Sequence, residues 1–464
     1  MKPLRLTQIA NMVGGRVAGA DAVVARVVTD TRQLAAEQGG QALFVALKGE
    51  RFDGHDFVAA AARAGCAAAL VARALDVPIP QVVVADTARA LAALAGAVQR
   101  ERAARVIGIT GSNGKTTVKT LTLSILERAG RAYANPGNRN NEIGLPLAVL
   151  DAPEDAQFAI YEMGAGKPGD IAYLCAIARP DVSVVNNIAP AHLERMGSLL
   201  GVADTKAAIY DALPPDGVAV INADDAFAPY FGERAHGHRI LRFGLEASAD
   251  VTARDIVADA EGSRFTLVAP EGEAEVTLAL PGRHNVRNAL AAACLALGAG
   301  APLQAIRDGL AAARPVAGRL VTHRLHSGAV LVDDSYNANP GSLHAAIDTL
   351  AAAGGEGWLV LGDMRELGAD AEALHAEAGR RARSAGLRRL YALGPLSAHA
   401  ARAFGAGGRV FDSHEALAAA LLAELRPGVQ ALVKGSRGSA MDQVVKAVLA
   451  AEPRPQGKGG TDAA

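Results

Sequence analysis

Gly114, Lys115 and Thr116 close the stretch "GITGSNGKTT" at residues 108–117. That ending suits a loop that cradles phosphates. Glycines at 111 and 114 let backbone N–H groups approach phosphate oxygens, and a helix starting at Lys115 adds positive potential at its N-terminus. Gly111, Ser112, Asn113, Gly114, Lys115, Thr116 and Thr117 are therefore candidate ATP contacts, with Lys115 reaching the outer phosphates and the Thr116 hydroxyl available to Mg²⁺. The usual spacing asks for a further glycine where this chain has Ile109, so on the motif alone a plain strand–turn–helix junction stays open.

A second candidate is Lys206 in "LLGVADTKAAIYDALP". Read as a helix, the segment puts Lys206 on the same stripe as Val202, Ile209 and Leu213, with Asp204 and Asp211 elsewhere on its surface. Snorkelling is the ordinary explanation of such a lysine. The other is that Lys206 turns inward, where carbamylation by CO₂ would convert it into an anion able to serve a metal. Glu162, ending "FAIYE", and His192, in "NNIAPAHLE", lie at strand ends where they could complete a second magnesium site. Imidazole is an unusual Mg²⁺ ligand, so His192 by itself reads as a loop histidine.

These residues need a scaffold of strands with loops at their carboxyl ends, and the sequence supplies one. Short β-rich runs alternate with helical patterns, which predicts α/β architecture with parallel sheets. A first block, 1–102, holds "ALFVALKG", "CAAALVA" and "QVVVAD". A central block, 103–315, holds "RVIGIT", "QFAIYEMG", "DVSVVNNI" and "GVAVINADD"; a third, 316–452, holds "AVLVDDSYNANP", "GWLVLGDM", "RRLYALG" and "QALVKGSRG" in a Rossmann-like pattern. Residues 453–464 are Pro/Gly-rich and read as a disordered tail. Half of the 464 residues are hydrophobic, a fifth are charged and the formal net charge is −1, which gives no argument for a nucleic-acid or membrane-surface partner. Cys66, Cys175 and Cys294 are widely spaced and read as buried free thiols. No stretch reaches the roughly 20 apolar residues of a membrane span, and the cytoplasm is the expected compartment.

Seven segments, "TGSNGKTT", "YEMGAGKPGDI", "NNIAPAHLE", "GRHNVRNALAA", "DDSYNANPGSL", "GDMRELG" and "KGSRGSAMDQVV", together resemble the Mur ligases of peptidoglycan synthesis. The resemblance spans nearly the whole chain, and "FVALKGERFDGHDF" and "DDSYNANPGS" are its most specific pieces. It implies three domains: one for a UDP-muramoyl-peptide, a central P-loop ATPase domain, and a C-terminal Rossmann-like domain for the amino component. It implies an ATP-dependent amide ligase that joins D-alanyl-D-alanine to UDP-N-acetylmuramoyl-tripeptide through an acyl phosphate, acting as a monomer. ATP, two Mg²⁺ ions and a carbamylated Lys206 are the implied cofactors.

Carried over by position, Lys115, Glu162, His192 and Lys206 become catalytic residues, and Thr116, Glu162, His192 and Lys206 metal ligands. Asn285 and Asn288 fall near the nucleotide, with Asn288 nearer adenine, while Arg319 and Asp334 reach phosphate and ribose from the hinge side. Thr31, Arg32, Lys48 and "GERFDGH" fall at the uridine end; Asn337, Asn339 and Arg437 face the dipeptide or the domain junction. Glycine-containing segments near 317–328 are candidate hinges. The family's shorter loop accommodates Ile109. One departure is Lys206-Ala207-Ala208 where Lys-Gly-Glu is expected, which removes a carboxylate and any secondary contact it makes. Three other readings compete, of which folylpolyglutamate synthase, a more distant relative, is opposed by the muramoyl-type first domain. Sister ligases that add one amino acid carry an Asp-Asn-Pro-Arg motif, which this chain lacks. A nucleotide-dependent switch would use the same loop and form no amide.

Overall fold

The strand Arg105–Thr110 lies at the middle of a six-stranded, all-parallel sheet. Its neighbours are Phe158–Glu162 on one side and Val182–Val185 on the other. Ala132–Ala134 closes one edge, and Val218–Asn222 and Arg239–Phe243 extend the other. The chain therefore leaves Arg105–Thr110 first toward one edge and later toward the opposite one. A crevice opens at such a switch point, outside the carboxyl ends of the strands. The strands are buried on both faces, as a parallel sheet covered by helices requires. A computed structural model describes residues 1–34, 39–190, 193–259 and 262–452. His192 and the tail 453–464 lie outside the described residues.

Before this sheet comes a five-stranded one, ordered Arg16–Ala18, Gln81–Val83, Ala68–Val71, Ala42–Val45, Arg26–Val28 and parallel except at its first strand. Its last helix, Thr87–Arg100, starts at Asp86, whose carboxylate accepts from the N–H groups of Ala88 and Arg89. After the central sheet comes a second six-stranded one, ordered Val321–Arg324, Val330–Asp334, Val429–Lys434, Glu356–Gly362, Arg389–Leu393, Gly408–Phe411. It is parallel except at its first strand.

Beside the parallel sheets, which match the expected α/β architecture, stands an antiparallel one. Thr252–Ala258, Ser263–Ala269 and Gly272–Leu278 form a separate antiparallel meander. Ser263–Ala269 alternates, with Ser263, Phe265, Leu267 and Ala269 buried. That period-2 pattern was available in the sequence. The helix Arg283–Gly298, buried along nearly its whole length, lies against the phosphate-loop helix Lys115–Leu126. Cys66, Cys175 and Cys294 are buried and free. No described helix is long and apolar enough to cross a membrane.

Candidate functional site

Ile109 is strand, fully buried and registered against Glu162 and Val184. The turn begins only at Gly111, so the missing glycine of the general pattern falls inside the sheet. Gly114 has φ +78, and a Cβ there would stand 2.5 Å from both Asn186 Nδ2 and Asn288 Oδ1, so no other residue fits without rearrangement. Lys115 opens the following helix and its ammonium donates back to the Gly111 carbonyl at 2.7 Å. Burial is the main force holding the Lys115 pKa below its ordinary value.

Two asparagines from the end of Val182–Val185 hold the loop in place. Asn187 accepts from Ser112 N–H at its backbone carbonyl (2.9 Å) and from Asn113 N–H at its side-chain oxygen (2.8 Å). The Asn186 amide donates to Asn113 O at 2.9 Å and Asn288 Oδ1 at 3.0 Å. Asn288 in turn donates to Asn285 Oδ1, and Asn285 donates to Pro281 O. Asn285 and Asn288 thus reach the phosphate loop itself, as one buried chain of amides.

Glu162 ends its strand inside the same cleft. Its Oε2 accepts from Thr116 Oγ1 at 2.8 Å, and its Oε1 accepts from Asn140 Nδ2 at 2.9 Å. The Lys119 ammonium lies 3.3 Å from Oε2. Burial pushes the Glu162 carboxyl up, but Lys119, Lys115 and these donors outweigh it and hold the group below its usual range. The Thr116 and Glu162 oxygens form a donor set suited to a hard cation. Among the described residues no group of three or more His, Cys, Asp or Glu stands ready for a metal, so an ion here would draw its other ligands from phosphate, water or a modified side chain.

Lys206 turns inward. The helix Leu199–Asp211 is tied to the sheet by the Tyr210 hydroxyl, which donates to Val220 O at 2.7 Å and accepts from Val185 N–H at 3.0 Å. One turn earlier, Lys206 is 2% exposed and lines the cleft. Asp204 and Asp211, on the outer face, pair with Arg234. Burial chiefly, with Lys115 nearby, pushes the Lys206 pKa down to about 7. A substantial fraction of its amine is therefore neutral near neutral pH and able to react with CO₂.

The third sheet contributes the opposite wall. Arg319 donates to Thr116 Oγ1 at 2.8 Å and stacks 4.3 Å over the Tyr336 ring, which Arg437 approaches at 5.1 Å. Asn339 caps the helix Pro340–Ala352 and donates to Asn113 Oδ1 at 2.7 Å. Asp334 pairs with Lys434, and burial raises its carboxyl despite that partner. Together the walls enclose a cleft of about 710 Å³ lined by residues 111–117, Glu162, Lys206, Asn285, Asn288, Arg319, Asp334, Asn337 and Asn339.

The structure does not bring every candidate here. Thr31, Arg32, Lys48 and Arg437 are outside the lining of this cleft. Thr31 opens a short 3-10 turn capped by Asp30, which also holds the Arg32 guanidinium; the backbone of Lys48 forms an isolated antiparallel bridge with that of Asp53. Reading the sequence missed Asn186, Asn187, Lys119, Asn140, Tyr336 and Lys434. Asn186 and Asn187 stood inside a quoted segment, and their position just after a strand was the available signal.

Known proteins share this sequence pattern and architecture. Residues 109–296 match the family model "Mur ligase middle domain", 318–437 match "Mur ligase, glutamate ligase domain", and 27–109 match "Mur ligase family, catalytic domain". The chain is 42% identical over 450 residues to a UDP-N-acetylmuramoyl-tripeptide–D-alanyl-D-alanine ligase of Escherichia coli, covering 97% of this chain and 99% of that protein. A crystal structure of MurF from Acinetobacter baumannii superposes with TM-score 0.91 at 33% identity, over 97% of this chain and 99% of that one. MurF ligase from Thermotoga maritima in complex with ADP superposes at 0.82 and 29% identity, over 92% and 97%.

Proposed function

The chain belongs to the Mur ligase family, and from that premise we propose that it is the ligase joining D-alanyl-D-alanine to UDP-N-acetylmuramoyl-tripeptide, with ATP, in peptidoglycan precursor synthesis. The observation that carries this reading is the meeting of the phosphate loop, Glu162 and Lys206 in one cleft, walled on the far side by Arg319 and Asn339. The end-to-end likeness to ligases of that name supports the choice of substrates.

An unactivated carboxylate does not react with an amine at neutral pH. In this reading the terminal carboxylate of the tripeptide attacks the γ-phosphorus of ATP. The bond to the β–γ bridging oxygen breaks, giving an acyl phosphate and ADP. The amine of D-alanyl-D-alanine then adds to the acyl carbon. The tetrahedral adduct loses phosphate and the ammonium loses a proton, leaving the amide. Backbone N–H groups at the start of the helix Lys115–Leu126, together with Lys115, bind and orient the phosphates. Thr116 and Glu162 would hold a magnesium ion, which would neutralise phosphoryl charge; a second ion would fall to Glu162, His192 and carbamylated Lys206. Carbamylation forms one N–C bond between the neutral Lys206 amine and CO₂ and releases one proton. Asn285, Asn288, Arg319 and Asp334 serve the nucleotide; Asn337, Asn339 and Arg437 face the dipeptide or the junction. Thr31, Arg32 and Lys48 serve the uridine end. The domains run 1–102, 103–315 and 316–452, working as one monomer, with closure of the third excluding water from the acyl phosphate.

The test is phosphate release with each substrate omitted in turn, and with diaminopimelate offered in place of D-alanyl-D-alanine. Release is expected only when ATP, the UDP-tripeptide and the dipeptide are all present. Equal release without the dipeptide, and no amide product, would overturn the ligase reading in favour of a nucleotide switch.

A further inference from the structure

Lys119 lies one helical turn after Lys115, so both ammonium groups leave the same face of the helix Lys115–Leu126. They part at once. Lys115 folds back onto Gly111, whereas Lys119 runs inward and is met by three acceptors: Asn135 O at 2.9 Å, Gly137 O at 3.1 Å and Glu162 Oε2 at 3.3 Å. Of the three donors of the ammonium, two are bonded to the carbonyls, and the charge faces the Glu162 carboxylate as an ion pair. The Lys119 and Glu162 side chains are 7% and 4% exposed.

A buried ion pair is a poor source of stability, because desolvating both charges offsets most of their attraction. The arrangement does something else. Thr116 and Lys119 tether one oxygen of Glu162 and Asn140 tethers the other, which fixes the plane of the carboxylate against the Thr116 hydroxyl. Asn135 braces the same residue from behind: its Oδ1 accepts from Glu162 N–H at 2.9 Å, and its amide donates to Glu162 O at 3.1 Å. Lys119 is bound to the Asn135 carbonyl, so it joins the carboxylate and its brace to the phosphate-loop helix.

We infer that Lys119 is a positioning residue: it aims the Glu162 carboxylate at the metal position beside Thr116 and makes ion binding follow the placement of the phosphate loop. The inference rests on the magnesium role proposed above for Thr116 and Glu162. Partners of metal ligands typically contribute 10–100-fold to metal affinity.

The test measures Mn²⁺ binding to the full-length, ADP-loaded protein by electron paramagnetic resonance, in wild type, Lys119→Met and Lys119→Gln. Gln keeps donors for the two carbonyls and removes the charge; it decides the matter if the Met variant fails to fold. Mn²⁺ affinity is expected to fall about 10–100-fold, with ADP affinity in chelator within about threefold of wild type. A merely structural lysine would lower the melting temperature of these variants and leave the Mn²⁺ affinity of the folded protein alone. Wild-type Mn²⁺ affinity in either folded variant overturns the inference. No measurement here involves the tripeptide or the dipeptide, so a failure of the proposed ligase activity would show separately, in the phosphate-release assay.

Discussion

Lys206 sits in an apolar stripe because the cleft, not the solvent, is its destination. Its depressed pKa has two consequences with definite signs. As pH falls through about 7 the amine becomes protonated and loses its capacity to react with CO₂. Activity should then decline, and added bicarbonate should restore part of it in wild type and none in Lys206→Ala, which should lose most activity at every pH. Full activity in Lys206→Ala would remove the carbamate from the mechanism. The second consequence concerns stability. Between pH 7 and 10.5 the unfolded chain binds the Lys206 proton and the folded chain does not, so stability rises with pH across that window. In CO₂-free buffer Lys206→Met should therefore raise the melting temperature most below pH 7, with the gain shrinking toward pH 10.5. Lys115→Ala should abolish ATP turnover, and retained turnover would refute its phosphate role. Lys115, Thr116 and Glu162 were readable from sequence because a motif or a strand end marked them. Lys119 was not: it looks like any helix lysine until Glu162, far along the chain, arrives beside it.

The phosphate loop is an element that does not hold its own shape. Its backbone is pinned by Asn186 and Asn187 from a neighbouring strand end. Asn186→Ala removes one buried and one partly buried hydrogen bond and leaves Asn288 Oδ1 short of a donor, which should cost about 1–3 kcal/mol. Denaturant unfolding measures that cost, and calorimetric ADP titration should show weakened binding in the same variant. Gly114→Ala should be worse for ADP, since the added methyl meets both amides at 2.5 Å in a left-handed backbone. An ADP affinity equal to wild type in both variants would show that the amide chain does not shape the loop. At this scale the central strands were legible from their apolar runs. The meander of residues 252–278 carries its alternation in the sequence, whereas two arginines interrupt the apolar run of the edge strand Arg239–Phe243 and weaken its pattern.

At the scale of the molecule, the first two sheets are braced together and the third closes on them. Arg102 donates to Ala152 O at 2.8 Å and Glu154 Oε1 at 2.9 Å, and the Met1 ammonium donates to Leu150 O at 2.9 Å. The third unit reaches the central one through Arg319 on Thr116 and Asn339 on Asn113, after a linker in which Gly318 and Leu320 both have positive φ. Asn339→Ser should keep the helix cap, since serine caps well, while giving up the reach to Asn113. The melting temperature should then hold while kcat falls about tenfold through lost orientation, with ADP affinity little changed. An unchanged kcat would mean that this contact plays no part in closure.

The sequence by itself determined the α/β alternation, the phosphate loop, the strand-end carboxylate and the family, because each is written in contiguous residues whose spacing carries its own physical meaning. Only the tertiary structure decided that Lys206 faces the cleft, that Asn186 and Asn187 hold the phosphate loop, that Lys119 meets Glu162, and that Arg319 and Asn339 touch Thr116 and Asn113. Those contacts join residues 43 to 226 positions apart in the chain. No local pattern encodes them: the packing of helices on sheets sets which distant polar groups are buried together, and burial then gives their charges and hydrogen bonds their chemical effect.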